Sequence, residues 1–195
     1  MECIDRLHTT AESHNRVMVV EIMGRHAGWI ALEAGLAGGA DVILIPEVPI
    51  DLDAVCEIIK RRHGRGKTFS IIAVAEGATL KGGGEVAETK LDEFGHVRLG
   101  GVGQLIGHLI EEKTGYETRV TVLGHIQRGG SPTAFDRVLG TRFGVKAVEL
   151  VKAKKFGTMV SLRGRKIDSV PLGDAVKQLK LVDEDTNAFN KIMNA

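Results

Sequence analysis

The chain alternates short apolar runs with stretches of helical periodicity. The runs are too short for helices and are bounded by turn residues, which is typical of strands buried on both faces of a parallel sheet. We predict four such strands, at residues 17–21, 41–46, 69–75 and 118–123. This alternation predicts an α/β fold in which a mainly parallel sheet is flanked by helices and binds its ligand beyond the carboxyl ends of the strands.

The segments between and after these runs carry helix and turn signals. Helical spacing of apolar residues predicts helices at 27–36, 51–64 and 103–113. Ser131 followed by Pro132 predicts the start of a further helix that runs to about residue 153. The remaining predictions are a long loop at 77–101 with a small hairpin around 93–96, two short strands near 158–162 and 166–170, and two terminal helices.

Charge and cysteine content exclude several classes of protein. The chain has 26 basic and 25 acidic residues, and a formal charge of +1 gives no broad attraction for nucleic acid or a membrane surface. Its two cysteines, Cys3 and Cys56, have no CxxC spacing, which favours a reducing, cytoplasmic setting. The apolar runs are far shorter than the ~20 residues that span a bilayer. Any anion that the protein binds must therefore be held locally.

Residues 21–28, with the sequence EIMGRHAG, lie where the first strand turns into a helix. Backbone N–H groups at such a turn are expected to be unpaired and to face outward, and the guanidinium of Arg25 suits a phosphate or sugar oxygens. The alternative is an ordinary glycine turn with a surface arginine. Glu76 follows the third strand, where a carboxylate accepts hydrogen bonds from sugar hydroxyls.

Residues 119–132, with the sequence RVTVLGHIQRGGSP, form the second candidate segment. Here the side chains of His125 and Arg128 follow a strand and are expected beside the open N-terminus of the next helix, where a phosphate binds well. The alternatives are a structural histidine and an Arg119 that pairs with a carboxylate. Arg16, just before the first strand, is either a further phosphate contact or a solvated surface residue. The joint occurrence of these groups favours a phosphate site.

The two segments resemble the 6-phosphofructokinases of the phosphofructokinase A family, and the resemblance covers the carboxy-terminal portion of that family. It implies the phosphofructokinase fold, with a Rossmann-like parallel sheet, and activity as a phosphotransferase that phosphorylates fructose 6-phosphate in glycolysis. The residues implied to hold the 6-phosphate are Arg16, Arg119, His125 and Arg128. Those implied to line the sugar are Met23, Gly24, Arg25 and Glu76, and Ile126 and Gln127 complete the substrate-binding set. In the family, the residues that match Arg16 and Arg119 reach into a neighbouring subunit, which implies a homodimer or homotetramer.

The sequence also departs from the family. The upstream glycine-rich donor segment and the Thr-Ile-Asp-Asn-Asp motif, which supplies the general base and helps to place Mg²⁺, do not occur, and neither does GxxxxGK[ST]. We therefore expect no catalytic residue in this chain, and we expect Mg²⁺ and ATP or pyrophosphate to be held by a missing amino-terminal half. Residues 1–126 and 175–195 are predicted to form the sugar-phosphate domain. Residues 127–174 are predicted to belong to the otherwise missing donor domain, and the chain alone is expected to be inactive.

The resemblance bears on regulation and on the donor as well. Asp41, Arg65 and Lys67 match effector-site positions of bacterial relatives. His8 and Phe69, however, stand where that site favours an arginine and a histidine, which argues against effector binding. The long loop and the segment 7–14 resemble the branch that contains both ATP- and pyrophosphate-using enzymes.

Two other functions are alternatives to a phosphotransferase. The isolated chain could serve only as a sugar-phosphate-binding or assembly module without turnover. A nicotinamide-dependent oxidoreductase is suggested by the glycine spacing of GVGQLIG at 101–107, but the segment before it does not have the pattern of a buried strand. No metal site is predicted, because the nearest histidine pair, His8 and His14, has no accompanying ligands.

Overall fold

The computed structural model describes residues 1–82 and 100–193, so the hairpin predicted around 93–96 lies outside the described residues. The chain divides into two compact units. The first contains Met1–Gln127 and Leu181–Ala195, and the second contains Arg128–Lys180. The assignment of the sequence to a sugar-phosphate domain and part of a donor domain stays a prediction.

The first unit is built on a four-stranded sheet. Its strands are β1 (Val17–Ile22), β2 (Val42–Leu44), β3 (Ser70–Ala75) and β4 (Thr118–Val122). Their order is β2-β3-β1-β4, and every neighbouring pair is parallel. The four predicted strands and the predicted α/β fold are therefore confirmed. Because β1 lies between β3 and β4, the segments that follow these three strands emerge side by side.

Helices cover both faces of this sheet. The helices of the first unit are α1 (Glu2–His14), α2 (Trp29–Ala37), α3 (Leu52–Gly64), α4 (Val102–Thr114) and, after the second unit, α7 (Glu184–Met193). One buried cluster includes Ile4 of α1 and Leu32 of α2, and the other includes Ile59 of α3 and Ile106 of α4. All six residues of β1 are buried as a result, which explains why its sequence is nearly continuously apolar.

Helix α1 was not predicted from the sequence. Its residues are mostly polar, and only Ile4 and Ala11 are buried, so the apolar stripe is too narrow to be recognised as a helical pattern. The helix ends at Asn15, which adopts a left-handed conformation with φ of 52°. Its position is decided by packing against the sheet rather than by a strong local signal.

The second unit contains α5 (Ala134–Lys152), the strands β5 (Thr158–Arg163) and β6 (Lys166–Pro171), and the short α6 (Leu172–Ala175). The two strands form an antiparallel hairpin, and both were predicted from the sequence. Large apolar side chains of this unit are exposed. On α5 they are Phe135, Val138, Val145, Val148 and Val151. A two-stranded sheet with one helix covers too little apolar surface to form a well-filled core.

The predicted start of α5 at Ser131 is wrong. Thr133 is the N-cap, and it forms a capping box with Asp136: the Asp136 N–H donates to the Thr133 hydroxyl at 3.3 Å, and the Thr133 N–H donates to the Asp136 carboxylate at 3.0 Å. Ser131 and Pro132 precede the helix. The reciprocal pair satisfies two backbone donors at once, which a lone serine followed by proline does not.

We expect Thr133→Ala to destabilise α5 by ~1 kcal/mol, because a helix that loses its N-cap hydroxyl typically loses about 0.5–2 kcal/mol. Amide hydrogen exchange in the first turn of α5 is the measurement, and faster exchange is expected. Thr141→Ala is the matched control, because the Thr141 hydroxyl only donates to the carbonyl of Arg137 within the helix. Equal exchange rates in the two variants would contradict the capping assignment.

Both cysteines are free thiols, and burial raises the pKa of Cys56. No helix in the described part of the chain combines the length and the apolar character needed to cross a membrane.

Candidate functional site

The carboxyl ends of β3, β1 and β4 form the candidate site. The backbone ladder continues past the strands, since the Glu76 N–H donates to the carbonyl of Ile22 at 2.8 Å and the Leu123 N–H donates to that of Glu21 at 3.1 Å. These bonds hold three segments next to one another: Glu76 after β3, residues 23–25 after β1, and a 3-10 helix, Gly124–Arg128, after β4. This is the edge at which the sequence predicted a ligand crevice.

Glu76 fixes the turn that follows β1. Its Oε1 accepts hydrogen bonds from the backbone N–H groups of Gly24, at 3.1 Å, and Arg25, at 2.8 Å. Arg25 has φ of 52°, a left-handed conformation that is uncommon for a residue with a side chain and is held here by the Glu76 carboxylate. The expectation that these N–H groups are unpaired is therefore wrong, because a carboxylate on the neighbouring strand reaches them.

Gln127 joins the 3-10 helix to the same turn. Its Oε1 accepts a hydrogen bond from the Met23 N–H at 2.8 Å. His125 and Ile126, the two preceding residues of the 3-10 helix, are exposed, and Ile126 is 72% exposed. The structure thus brings together seven of the ten residues predicted to bind substrate: Met23, Gly24, Arg25, Glu76, His125, Ile126 and Gln127.

Glu47 is a structural residue of this region that the sequence analysis missed. Its carboxylate accepts hydrogen bonds from the Gly28 N–H, at 3.0 and 3.1 Å, and from the Val182 N–H, at 3.0 Å. Glu47 ties the start of α2 to the segment before α7. The only signal for it in the sequence was its position just after the second predicted strand, the same signal that identified Glu76. Since Gly28 is also paired, the backbone N–H groups of Gly24, Arg25 and Gly28 already have carboxylate partners and are not open to an anion.

Arg16 and Arg119 lie at the opposite end of the strands, near the amino ends of β1 and β4. Arg16 directly precedes β1, and the six residues of that strand separate it from Met23. At ~3.3 Å per residue the two positions are about 23 Å apart. Arg119 is the second residue of β4 and pairs in register with Met18, the second residue of β1. One copy of the chain therefore cannot place these two arginines in the same pocket as Arg25 and Glu76.

Arg16 and Arg119 meet at Glu117, which the sequence analysis did not identify. Arg16 Nε lies 2.9 Å from Glu117 Oε2, and Arg119 Nη2 pairs with Glu117 Oε1. The close ion pair with Arg16, followed by the positive charge of Arg119, lowers the pKa of Glu117. The pairing of Arg119 with a carboxylate, which the sequence left open, thus occurs.

Arg128 is the last residue of the 3-10 helix and the first residue of the second unit. Its side chain is exposed. The next helix, whose N-terminus was expected to be open, begins with a capping box that pairs the backbone N–H groups of Thr133 and Asp136.

The glycine-rich start of α4 serves packing within the protein. Glu21, a buried residue of β1, accepts hydrogen bonds from the Gly101 N–H, at 3.2 Å, and the Gly103 N–H, at 2.8 Å. A Cβ at Gly103 would lie 2.9 Å from Glu21 Oε2, so glycine is needed for this close approach. A dinucleotide pyrophosphate would have to displace a buried carboxylate, which removes the basis for the oxidoreductase hypothesis.

The residues that match the effector site are arranged as follows. The Asp41 carboxylate pairs with Arg62 at 2.6 Å and accepts the Ile71 N–H at 2.8 Å, and burial raises its pKa. Arg65 and Lys67 are exposed. The ring of His8 packs edge-on against that of Phe69, with centroids 5.8 Å apart. The assignment of Asp41, Arg65 and Lys67 to an effector site stays a prediction.

Among residues 1–82 and 100–193, no group of three His, Cys, Asp or Glu side chains is placed to hold a metal ion.

Comparison with known proteins identifies similar sequences. A family model described as phosphofructokinase matches residues 1–151. The chain is 58% identical over 190 residues to an ATP-dependent 6-phosphofructokinase of Mycobacterium leprae, a match that covers 94% of this chain and 54% of that protein. It is 59% identical over 182 residues to a pyrophosphate–fructose 6-phosphate 1-phosphotransferase of Amycolatopsis methanolica, which covers 93% and 53%. The chain thus spans about half the length of these relatives.

Solved structures give the same result for the fold. Phosphofructokinase from Saccharomyces cerevisiae aligns with a TM-score of 0.75 and 34% identity, over 98% of this chain and 23% of that one. A pyrophosphate-dependent phosphofructokinase from Nitrosospira multiformis aligns with a TM-score of 0.76 and 21% identity, over 93% and 46%. The second likeness concerns the fold alone.

Proposed function

This chain belongs to the phosphofructokinase family, and from that premise we propose that it is the carboxy-terminal part of a 6-phosphofructokinase. The whole enzyme transfers a phosphoryl group from ATP or pyrophosphate to the 1-hydroxyl of fructose 6-phosphate in the cytoplasm. The observation that carries the proposal is the cluster at the carboxyl ends of β3, β1 and β4, where Glu76 and Gln127 hold the turn that presents Arg25.

In this proposal the chain supplies the acceptor side of the site. Phosphoryl transfer depends mainly on positioning and on stabilisation of charge, so a site rich in arginine fits the reaction. Met23, Gly24, Arg25 and Glu76 line the sugar. His125 and Arg128 hold its 6-phosphate, with Ile126 and Gln127 beside them. The backbone N–H groups of Gly24, Arg25 and Gly28 are already paired, so we assign the recognition of the phosphate to side chains.

Arg16 and Arg119 complete the phosphate site from a second copy of the chain. Arg16 lies about 23 Å from Met23 at ~3.3 Å per residue, and Arg119, in register with Met18, lies about 17 Å from the level of Met23. These distances support a contribution to a neighbour's site rather than to their own. A homodimer or homotetramer is the assembly that this arrangement requires.

The general base, the donor and Mg²⁺ are assigned to a part of the enzyme outside this chain. The family motif that supplies the base and helps to place Mg²⁺ does not occur in the sequence. We assign residues 127–174 to the domain that holds the donor. The exposed apolar side chains of α5 support this assignment, because large apolar side chains that are exposed on a helix indicate a further packing partner.

The donor is ATP or pyrophosphate. Relatives named for each donor match with nearly equal identity, 58% and 59%, so overall similarity does not discriminate between them.

The test is an assay of the full-length protein and of the 195-residue chain, each with fructose 6-phosphate, Mg²⁺ and either donor. We expect fructose 1,6-bisphosphate from the full-length protein with one donor, and no turnover by the chain alone. Appreciable turnover by the chain would contradict the assignment of the catalytic groups to another part of the enzyme. No product from the full-length protein with either donor would refute the proposed activity. Binding without turnover would favour a sugar-phosphate-binding or assembly module.

A further inference from the structure

Glu117 occupies the position between two arginines that bind a phosphate in the proposed function. The strand register sets this arrangement: Val17 of β1 pairs with Thr118 of β4, so the residues just before the two strands, Arg16 and Glu117, lie side by side. The Val17 N–H donates to the Glu117 carbonyl at 3.0 Å, which fixes the backbone of Glu117 at the edge of the sheet. Glu117 is therefore held beside the arginines by the sheet itself.

Both oxygens of the Glu117 carboxylate are used. Oε2 pairs with Arg16 Nε and Oε1 pairs with Arg119 Nη2. Among the described residues, Glu117 is the one carboxylate that pairs with either arginine. A phosphate group offers guanidinium groups the same kind of negatively charged oxygen acceptors that this carboxylate offers. A phosphate that binds both arginines therefore has to replace the Glu117 carboxylate, which already pairs with them.

The charge of Glu117 weakens the attraction of Arg16 and Arg119 for a phosphate. Two guanidinium groups and one carboxylate leave the three side chains with a net positive charge of one unit, half of what the arginines alone would present to a phosphate dianion. The close ion pair with Arg16 and the charge of Arg119 hold the pKa of Glu117 below its usual range, so the carboxylate is ionised at neutral pH. The side chains are partly exposed, at 28% for Arg16, 42% for Glu117 and 52% for Arg119, so they can exchange partners without opening the core.

We infer that Glu117 is an internal counter-anion that pairs with Arg16 and Arg119 in the absence of substrate and competes with the sugar phosphate for them. This inference rests on the proposed function, in which the two arginines contact the phosphate. Glu117 is a positioning residue, because it acts on the substrate through the arginines. It sets the affinity for the phosphorylated acceptor below the value that the arginines alone would give.

The test is steady-state kinetics of the full-length enzyme with Glu117→Gln, which keeps the size of the side chain and removes its charge. We expect KM for fructose 6-phosphate to fall about three- to tenfold with kcat nearly unchanged, as the loss of one like charge near the phosphate predicts. Glu33→Gln is the matched control, because Glu33 is an exposed glutamate of α2 and its substitution removes the same charge elsewhere. Its KM is expected to match that of the unaltered enzyme.

Arg16→Ala and Arg119→Ala separate this inference from the function on which it rests. Both should raise KM, and the effect of Glu117→Gln should shrink in the Glu117→Gln/Arg16→Ala double variant, because the carboxylate then has one arginine fewer through which to act. If the arginine variants raise KM while Glu117→Gln leaves it unchanged or raises it, the inference is wrong and the phosphate role of the arginines stands. If the arginine variants leave KM unchanged, both the phosphate role and the inference fail.

Discussion

Gly77→Ala is expected to raise KM for fructose 6-phosphate by at least about tenfold and to destabilise the first unit by about 1–3 kcal/mol, the usual cost of overpacking. A Cβ at Gly77 would lie 2.0 Å from the backbone oxygen of Arg25, closer than any two such atoms approach. Arg25 cannot yield easily, since its N–H is held by Glu76 at 2.8 Å and its φ of 52° is already unusual. The added methyl group would therefore displace the turn that presents the Arg25 side chain.

Two measurements check this prediction: substrate kinetics of the full-length enzyme, and urea unfolding followed by circular dichroism. Gly64→Ala is the matched control, because Gly64 is the last residue of α3 and a Cβ there would meet nothing within 4 Å. That variant should be neutral or slightly more stable, since alanine favours the helix over glycine by up to ~1 kcal/mol. Gly77→Ala with the stability and KM of the Gly64→Ala variant would show that the turn tolerates the clash and that its backbone geometry does not control substrate binding.

Arg128→Ala is expected to weaken fructose 6-phosphate binding in the full-length enzyme by roughly 1.5–3 kcal/mol, which corresponds to about a 10- to 150-fold higher KM. In the proposed function, this substitution removes a charge-assisted contact between the Arg128 guanidinium and the 6-phosphate. Arg128 ends the 3-10 helix whose Gln127 is hydrogen-bonded to Met23, so its backbone is anchored directly before the side chain.

Arg163→Ala is the control for Arg128→Ala. Arg163 is exposed at the end of β5 in the same unit, so its removal changes the net charge of that unit equally. We expect the control to retain the KM of the unaltered enzyme. An unchanged KM in Arg128→Ala would refute the assignment of this residue to the phosphate.

The strands of the first unit could be predicted from the sequence because a strand that is buried on both faces consists of consecutive apolar residues. Every residue of β1 and β3 is buried, so both strands are nearly continuous runs of apolar residues. Helix α1 has no comparable apolar pattern, because only Ile4 and Ala11 are buried along its 13 residues. The start of α5 was misplaced for a related reason: Ser131, Pro132 and Thr133 are all plausible at a helix start, and the reciprocal bonds with Asp136 decide between them.

The candidate site divides in the same way. The motifs around Arg25 and His125 identified residues that the structure brings to neighbouring strand ends, since the ends of parallel strands share one edge of a sheet. The partners of their backbone groups could not be predicted. Glu76 lies 51 residues from Arg25 in the chain, and which carboxylate reaches which N–H depends on strand order.

The amino-acid sequence by itself determined the α/β class, the family and the residues that gather at the carboxyl edge of the sheet, because burial patterns and long motifs are written in consecutive residues. Only the tertiary structure decided that Glu76, Glu47 and Glu21 take up the backbone donors of the glycine-rich turns, and that Arg16 and Arg119 lie at the far edge with Glu117 between them. These contacts follow from strand order and register, which join residues distant in the chain. No local pattern encodes them.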